Sequence, residues 1–129
     1  MNGKLNILVV DDDEALRETL ADLLVPDYNV LSAGSGQEAY EIVKAKSIDV
    51  VLSDVCMANG TGIELLQWIR TSHGEHPTVV LITGHSQTAT EDVLKFGAFA
   101  VLTKPFTRKS LIDILHSIHE SQHLSKKVN

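Results

Sequence analysis

The sequence predicts an α/β domain, an open doubly wound parallel sheet of five strands with helices on both faces. Five short apolar runs of strand length are spaced through the chain, and four are solidly apolar rather than alternating, as strands buried on both faces read. Each run is followed by residues with the 3.6-residue apolar period of a helix. Connections are short, and right-handed crossovers between parallel strands then place the helices against the sheet.

The elements follow in order. Leu5 to Val10 is the first strand, and Leu16, Leu20, Leu23 and Leu24 form the stripe of a helix that Pro26 closes. Asn29 to Ala33 is the second, before Ser35 as a candidate N-cap and a stripe of Ala39, Tyr40 and Val43. Val50 to Ser53 precedes Ile63, Leu66 and Ile69, with Gly74 and Pro77 as the stop. Val79 to Thr83 precedes Ala89, Val93 and Phe96, and Gly97 stands where a glycine just past the helix end would close it. Phe99 to Thr103 precedes Leu111, Ile114, Leu115 and Ile118, with Thr107 as a second candidate N-cap. The expectation is a single domain over residues 1–129, with its core over about 4–120 and a polar tail over 121–129.

A chain of 129 residues buries roughly 65–70% of its unfolded surface, enough for a real core. With 43% hydrophobic and 22% charged residues, disorder and low-complexity scaffolds are excluded. The balance of 11 basic and 17 acidic residues repels phosphate backbones and anionic lipid, so direct nucleic-acid binding is not expected. The longest apolar run, Ala98 to Leu102, is five residues against the ~20 that cross a bilayer, so no membrane insertion is expected. One cysteine, Cys56, cannot form an internal disulfide; with no secretory signal at the amino terminus, a cytoplasmic address is expected.

Polar chemistry in such a sheet collects at the carboxyl ends of the strands. Strand one ends in Asp11 and Asp12, strand three in Asp54, strand four in Thr83 and strand five in Lys104, followed by Pro105. At ~5 Å and an effective dielectric of ~20, two carboxylates repel by roughly 3 kcal/mol, so three of them call for a cation. Magnesium suits the set, because it takes one or two carboxylates and leaves places for phosphate oxygens. The EF-hand spacing is missing after Asp11, and zinc lacks softer ligands nearby. Asp13 and Glu14 read instead as the start of a helix.

These residues resemble the receiver domain of bacterial response regulators, the CheY-like family. The resemblance covers about residues 4 to 120. It rests on Ile7-Leu8-Val9-Val10-Asp11-Asp12, on Leu52-Ser53-Asp54-Val55-Cys56-Met57 with Gly62 eight residues past Asp54, on Leu81-Ile82-Thr83-Gly84, and on Leu102-Thr103-Lys104-Pro105-Phe106. It implies strand order 2-1-3-4-5. It also implies a phosphoacceptor in a two-component phosphorelay, in which Asp54 takes a phosphoryl group from a phosphohistidine of a sensor histidine kinase or histidine phosphotransfer protein. On the same resemblance, Asp12 and Asp54 touch Mg²⁺ (or Mn²⁺) directly with the backbone carbonyl of Cys56, and Asp11 acts through water. Thr83 and Lys104 meet the phosphoryl oxygens, and the Lys104–Pro105 peptide is cis. The chain would then be no enzyme in the usual sense, catalysing only its own phosphorylation and dephosphorylation. Its output would be a downstream protein partner or effector domain, met through the fourth helix, fifth strand and fifth helix.

Departures from the family pattern bear on that output. Val101 stands three residues before the lysine, where many receivers carry Tyr or Phe, so the rotating aromatic that reports phosphorylation is absent and Thr83 is left to move. Ala58 replaces a frequent proline, which implies a more mobile loop after Asp54. Cys56 and His85, two residues beyond Asp54 and Thr83, occupy positions that in the family tune phosphoryl lifetime.

Rival readings are weaker. Gly34-Ser35-Gly36-Gln37-Glu38-Ala39 imitates a dinucleotide fingerprint, but it follows the second strand and leaves no substrate domain, so a turn and helix cap is the better reading. A magnesium-dependent aspartyl-phosphate phosphatase of haloacid-dehalogenase type places an acid two residues after its nucleophile, where this chain has Cys56. Nothing orients a base onto Cys56 as a nucleophile. His116, His119 and His123, at i, i+3 and i+7, could bind a transition metal, but read more simply as a solvated or partner-facing flank.

Overall fold

Alternate residues of a strand face opposite sides of the sheet, so strands that are apolar throughout need two cores. The computed structural model, which describes residues 4–55, 62–72, 76–84 and 94–128, has both. Strands β1 (Asn6–Val10), β2 (Asn29–Ala33), β3 (Val50–Asp54), β4 (Thr78–Thr83) and β5 (Ala100–Thr103) form one sheet in the order β2-β1-β3-β4-β5. Every neighbouring pair is parallel. The long helices among the described residues are α1 (Glu14–Leu24), α2 (Gly36–Ala45), α3 (Gly62–Thr71) and α4 (Arg108–Val128).

Thus α4 is the fifth helix expected from the sequence. Gly74, an expected stop of the third helix, lies outside the described residues, and so do Ala89 and Val93 of the expected fourth. Its end is visible: Leu94 and Lys95 are helical, and Gly97 follows at φ +103°, with its N–H donating to the Leu94 carbonyl at 2.9 Å. That is the left-handed closure expected of this glycine. Strand limits move by a residue. β3 runs on to Asp54, which pairs with Ile82, and β5 begins at Ala100 rather than Phe99. An apolar pattern does not register a polar residue that pairs at a strand tip. The helix α4 continues to Val128, through the polar stretch after Glu120.

On one face Ile7, Val9, Val50, Leu52, Val80 and Ile82 meet Leu20 and Leu24 of α1 and Leu111, Leu115 and Ile118 of α4. On the other, Leu8, Val10, Val51, Val79 and Leu81 meet Ala39 of α2 and Leu65, Leu66 and Ile69 of α3. Each fully buried Leu or Ile contributes roughly 1.5–3 kcal/mol, so the two rows of the sheet anchor all four helices. Of the α1 stripe, Leu20 and Leu24 are buried, while Leu16 and Leu23 are only half-buried.

Helix starts match their capping residues. Asp13 Oδ1 accepts from the N–H groups of Ala15 at 2.9 Å and Leu16 at 3.4 Å. Ser35 Oγ accepts from the Glu38 N–H at 3.1 Å, and Glu38 reaches back to accept from the Gly34 N–H at 2.7 Å, so Gly34-Ser35-Gly36 is a turn and cap. Thr107 Oγ1 accepts from the Ser110 N–H at 3.0 Å. The end of α1 is tied to the start of α4, because Arg108 donates to the Leu23 carbonyl and pairs with Asp27, both at 3.0 Å. After α1 the Val25–Pro26 peptide is cis, a feature with no sign in the sequence pattern.

Candidate functional site

Register brings the strand ends level. Val10 pairs with Ser53, Asp54 with Ile82, and Thr83 with Thr103, so Asp11, Asp54, Thr83 and Lys104 lie along one edge. Strand order reverses between β1 and β3, since the chain passes from β1 out to β2 and then returns to the far side of β1. Ligand crevices of doubly wound sheets form at such a point, beyond the carboxyl ends of the strands. Parity refines the placement. Asp11 continues the row of Ile7 and Val9, and Asp54 that of Val50 and Leu52, both on the face of α1 and α4. Thr83 belongs to the alternate row with Val79 and Leu81.

Asp11 is buried, with 3% of its surface exposed, whereas Asp12 is exposed at the mouth. The Asp11 carboxylate accepts from the Asp13 N–H at 2.9 Å. Its pKa is raised above the ordinary carboxylate value, first by burial and then by the nearby charges of Asp54 and Asp12, against the lowering effects of the Asp13 hydrogen bond and Lys104. The carboxyl groups therefore feel one another's charge, the strain that a cation relieves.

Asp54 is largely enclosed, with its side chain 13% exposed, and Lys104 Nζ donates to its Oδ2 at 3.5 Å. Two backbone features lie beside this contact. The Lys104 N–H donates to the Thr83 carbonyl at 2.8 Å, extending the β4–β5 ladder past the strand, and the Lys104–Pro105 peptide is cis as expected. Thr83 is buried, with 5% exposed. Val101 is half-buried against the core on the α2 and α3 face. Cys56 and His85 lie outside the described residues, as do Met57 and Ala58.

Three residues support the site from outside it, and of these Ser53 and Gly62 stand in the motifs that carry the resemblance while Arg17 does not. Arg17 donates from Nη1 to the Asp11 carbonyl at 2.7 Å, pinning the first acid from below. The sequence hint is only a cation in the first turns of a helix that follows an acidic run. Ser53 is fully buried and its hydroxyl donates to the Asp54 carbonyl at 3.0 Å. Gly62 opens α3 directly against Asp54: a Cβ there would collide with the Asp54 carbonyl oxygen.

The donor set suits a hard divalent ion. The site offers carboxylate oxygens and no thiolate or imidazole among the described residues, and the charges of Asp54 and Asp12 act on Asp11. Among the described residues, no three His, Cys, Asp or Glu side chains stand gathered as a ready-made metal cluster. His116 and His119 are exposed on α4, while the His123 side chain lies outside the description. Among the described residues no helix is long and apolar enough to cross a membrane.

Comparison with known proteins identifies the family. The family model described as the response regulator receiver domain matches residues 7–116. The chain is 34% identical over 122 residues to the transcriptional regulatory protein CpxR of Escherichia coli K12, covering 94% of this chain and 52% of that one. It is 39% identical over 106 residues to the transcriptional regulatory protein ZraR of Salmonella typhimurium, covering 81% of this chain and 24% of that protein. The chain therefore spans about half or less of the curated relatives it matches. Among solved structures, a response regulator receiver domain protein of Clostridium thermocellum superposes with a TM-score of 0.83 at 31% identity, covering 93% of this chain and 98% of that one. The chemotaxis protein CheY4 of Vibrio cholerae gives 0.80 at 28% identity, covering 89% and 98%.

Proposed function

The chain belongs to the response regulator receiver domain family of two-component systems, and from that premise we propose that Asp54 accepts a phosphoryl group from the phosphohistidine of a sensor histidine kinase or a histidine phosphotransfer protein. The observation that carries this reading is the enclosed Asp54 carboxylate with Lys104 Nζ 3.5 Å away, beside a buried Asp11 at the reversal of strand order.

An Asp54 carboxylate oxygen attacks phosphorus, the P–N bond of the donor breaks, and the leaving imidazole keeps the electron pair. Asp54 becomes an acyl phosphate. Phosphoryl transfer passes through a loose transition state with charge on the equatorial oxygens, so the protein contributes mainly position and charge. Lys104 releases the Asp54 carboxylate and pairs with a phosphoryl oxygen. Thr83 turns its hydroxyl inward to a second oxygen, a movement supported by its place at the end of β4 beside Asp54. Asp12, Asp54 and the main-chain carbonyl of Cys56 would hold Mg²⁺ or Mn²⁺, with Asp11 acting through water, and the ion would supply positive charge to offset that of the transferred group. Arg17 keeps Asp11 in place through its backbone. Hydrolysis of the acyl phosphate by water resets the domain, with Cys56 and His85 controlling access.

Phosphorylation then repacks the surface of the segment before Gly97, β5 and α4 without an aromatic gate at Val101. A downstream protein or an effector domain reads that change, in the cytoplasm. Acetyl phosphate with Mg²⁺, followed by borohydride reduction, converts an aspartyl phosphate to homoserine, and peptide mass spectrometry is expected to find it at position 54. Homoserine at 11 or 12, or none, refutes the assignment.

A further inference from the structure

The end of the sheet opposite Asp54 carries an open cleft of about 300 Å³, where the C-terminal turn of α3 meets the start of β4. Arg70, His76, Thr78, Val79, Gly97 and Phe99 are among its lining residues. In a chain of net charge −6, the titratable groups of this lining among the described residues, Arg70 and His76, are both basic. Arg70 lies flat against the backbone of Gly97: a Cβ at that glycine would come within 2.5–2.6 Å of its Nη1, Cζ and Nε. The bare backbone of Gly97, at φ +103°, therefore makes the seat for the guanidinium. Among the described residues Arg70 has neither a hydrogen bond nor an ion pair. Beside it Phe99 is 44% exposed, and Val79 is buried at 3%. An unpaired planar fork of donors next to apolar surface matches a carboxylate on a flat apolar body.

We propose that this cleft binds a small aromatic carboxylate, with the carboxylate on Arg70 and the ring against Phe99 and Val79. The site is distinct from the phosphoacceptor edge and does not depend on it. The probe is 2-naphthoate, titrated into the ¹⁵N-labelled full chain and followed by amide shifts. Saturable shifts are expected at Thr78, Val79, Gly97 and Phe99, with a dissociation constant of about 1 mM or tighter, the scale for a ligand of ~13 non-hydrogen atoms. The neutral analogue 2-naphthalenemethanol and inorganic phosphate are each expected to bind at least about tenfold more weakly, since each offers only half of the recognition. Arg70→Gln, an exposed change whose fold is checked by its own spectrum, is expected to lose about tenfold in affinity, and Arg70→Lys to recover only part of it. Both variants should keep wild-type phosphoryl gain at Asp54. Three results would each overturn the proposal: no saturable shifts at the cleft, equal affinity for the alcohol or for phosphate, or unchanged binding in Arg70→Gln.

Discussion

Replacing Gly62 by alanine tests how closely α3 is seated on the acceptor strand. A Cβ at this position would collide with the Asp54 carbonyl oxygen and stand 3.1 Å from both the Asp54 carbonyl carbon and Leu81 Cδ2. Two of the three obstructing atoms are backbone, in a strand paired with β4. Gly62 cannot retreat freely, because its N–H donates to the Val55 carbonyl at 2.9 Å. Overpacking of this kind costs about 1–3 kcal/mol. Alanine recovers little of its usual helical advantage over glycine, ~0.5–1 kcal/mol, because Gly62 is the first residue of its helix. The net loss is about 1–2 kcal/mol, roughly 3–10 °C in Tm for a domain of 129 residues. Two glycines serve as controls. At Gly34 the nearest atom is Arg17 Nη1 at 3.3 Å, the movable end of a side chain, and at Gly84 it is Lys104 Cδ at 3.9 Å, an ordinary contact. Thermal and urea denaturation followed by circular dichroism should rank Gly62→Ala far below Gly34→Ala, with Gly84→Ala near wild type. Phosphoryl gain should slow in Gly62→Ala and not in Gly84→Ala, because the atoms displaced at Gly62 belong to Asp54. A Gly62→Ala protein that melts with Gly84→Ala would refute the packing argument.

Other substitutions separate the roles of the acids and the lysine. Asp11→Asn should stabilise the protein in EDTA at neutral pH. The raised pKa of Asp11 means that the folded state holds its proton more tightly than the unfolded chain, so its contribution favours folding at low pH and is lost as pH rises through the folded value. Urea midpoints across pH should show the two proteins converging below the ordinary carboxylate range, and a less stable Asp11→Asn at neutral pH would contradict this. Lys104→Gln should slow phosphoryl gain by roughly 100-fold, the scale for one lost transition-state donor. Its stability should change by no more than about 1 kcal/mol, because the 3.5 Å pair is partly exposed at the lysine. Asp13→Ala should cost about 1 kcal/mol by removing the α1 cap while leaving phosphorylation intact, as measured by urea midpoint and phosphoryl rate.

Much of this edge was legible because it is written in residue type at strand ends. Asp11, Asp54, Thr83 and Lys104 each close an apolar run, and one rule about doubly wound sheets brings them together. The caps at Asp13, Ser35 and Thr107 were legible for a similar reason, since capping is local. Contacts between distant elements were not. The donation from Arg17 to the Asp11 carbonyl depends on how α1 turns back over β1, and the seat of Arg70 on Gly97 depends on where α3 ends against the start of β5. Parity was readable in principle: counting from Val79 puts Thr83 on the row opposite to Asp54. The cis peptide at Val25–Pro26 has no counterpart in periodicity, because either isomer ends a helix equally well.

The central claim is that Asp54 accepts one phosphoryl group with the help of a divalent ion. Intact-mass spectrometry after incubation with phosphoramidate or acetyl phosphate, with Mg²⁺ and with EDTA, on wild type and Asp54→Asn, tests it most directly. One added phosphoryl group should appear in wild type with Mg²⁺ and be absent in EDTA and in Asp54→Asn. An equal gain in Asp54→Asn, or a gain indifferent to the metal, would contradict the account.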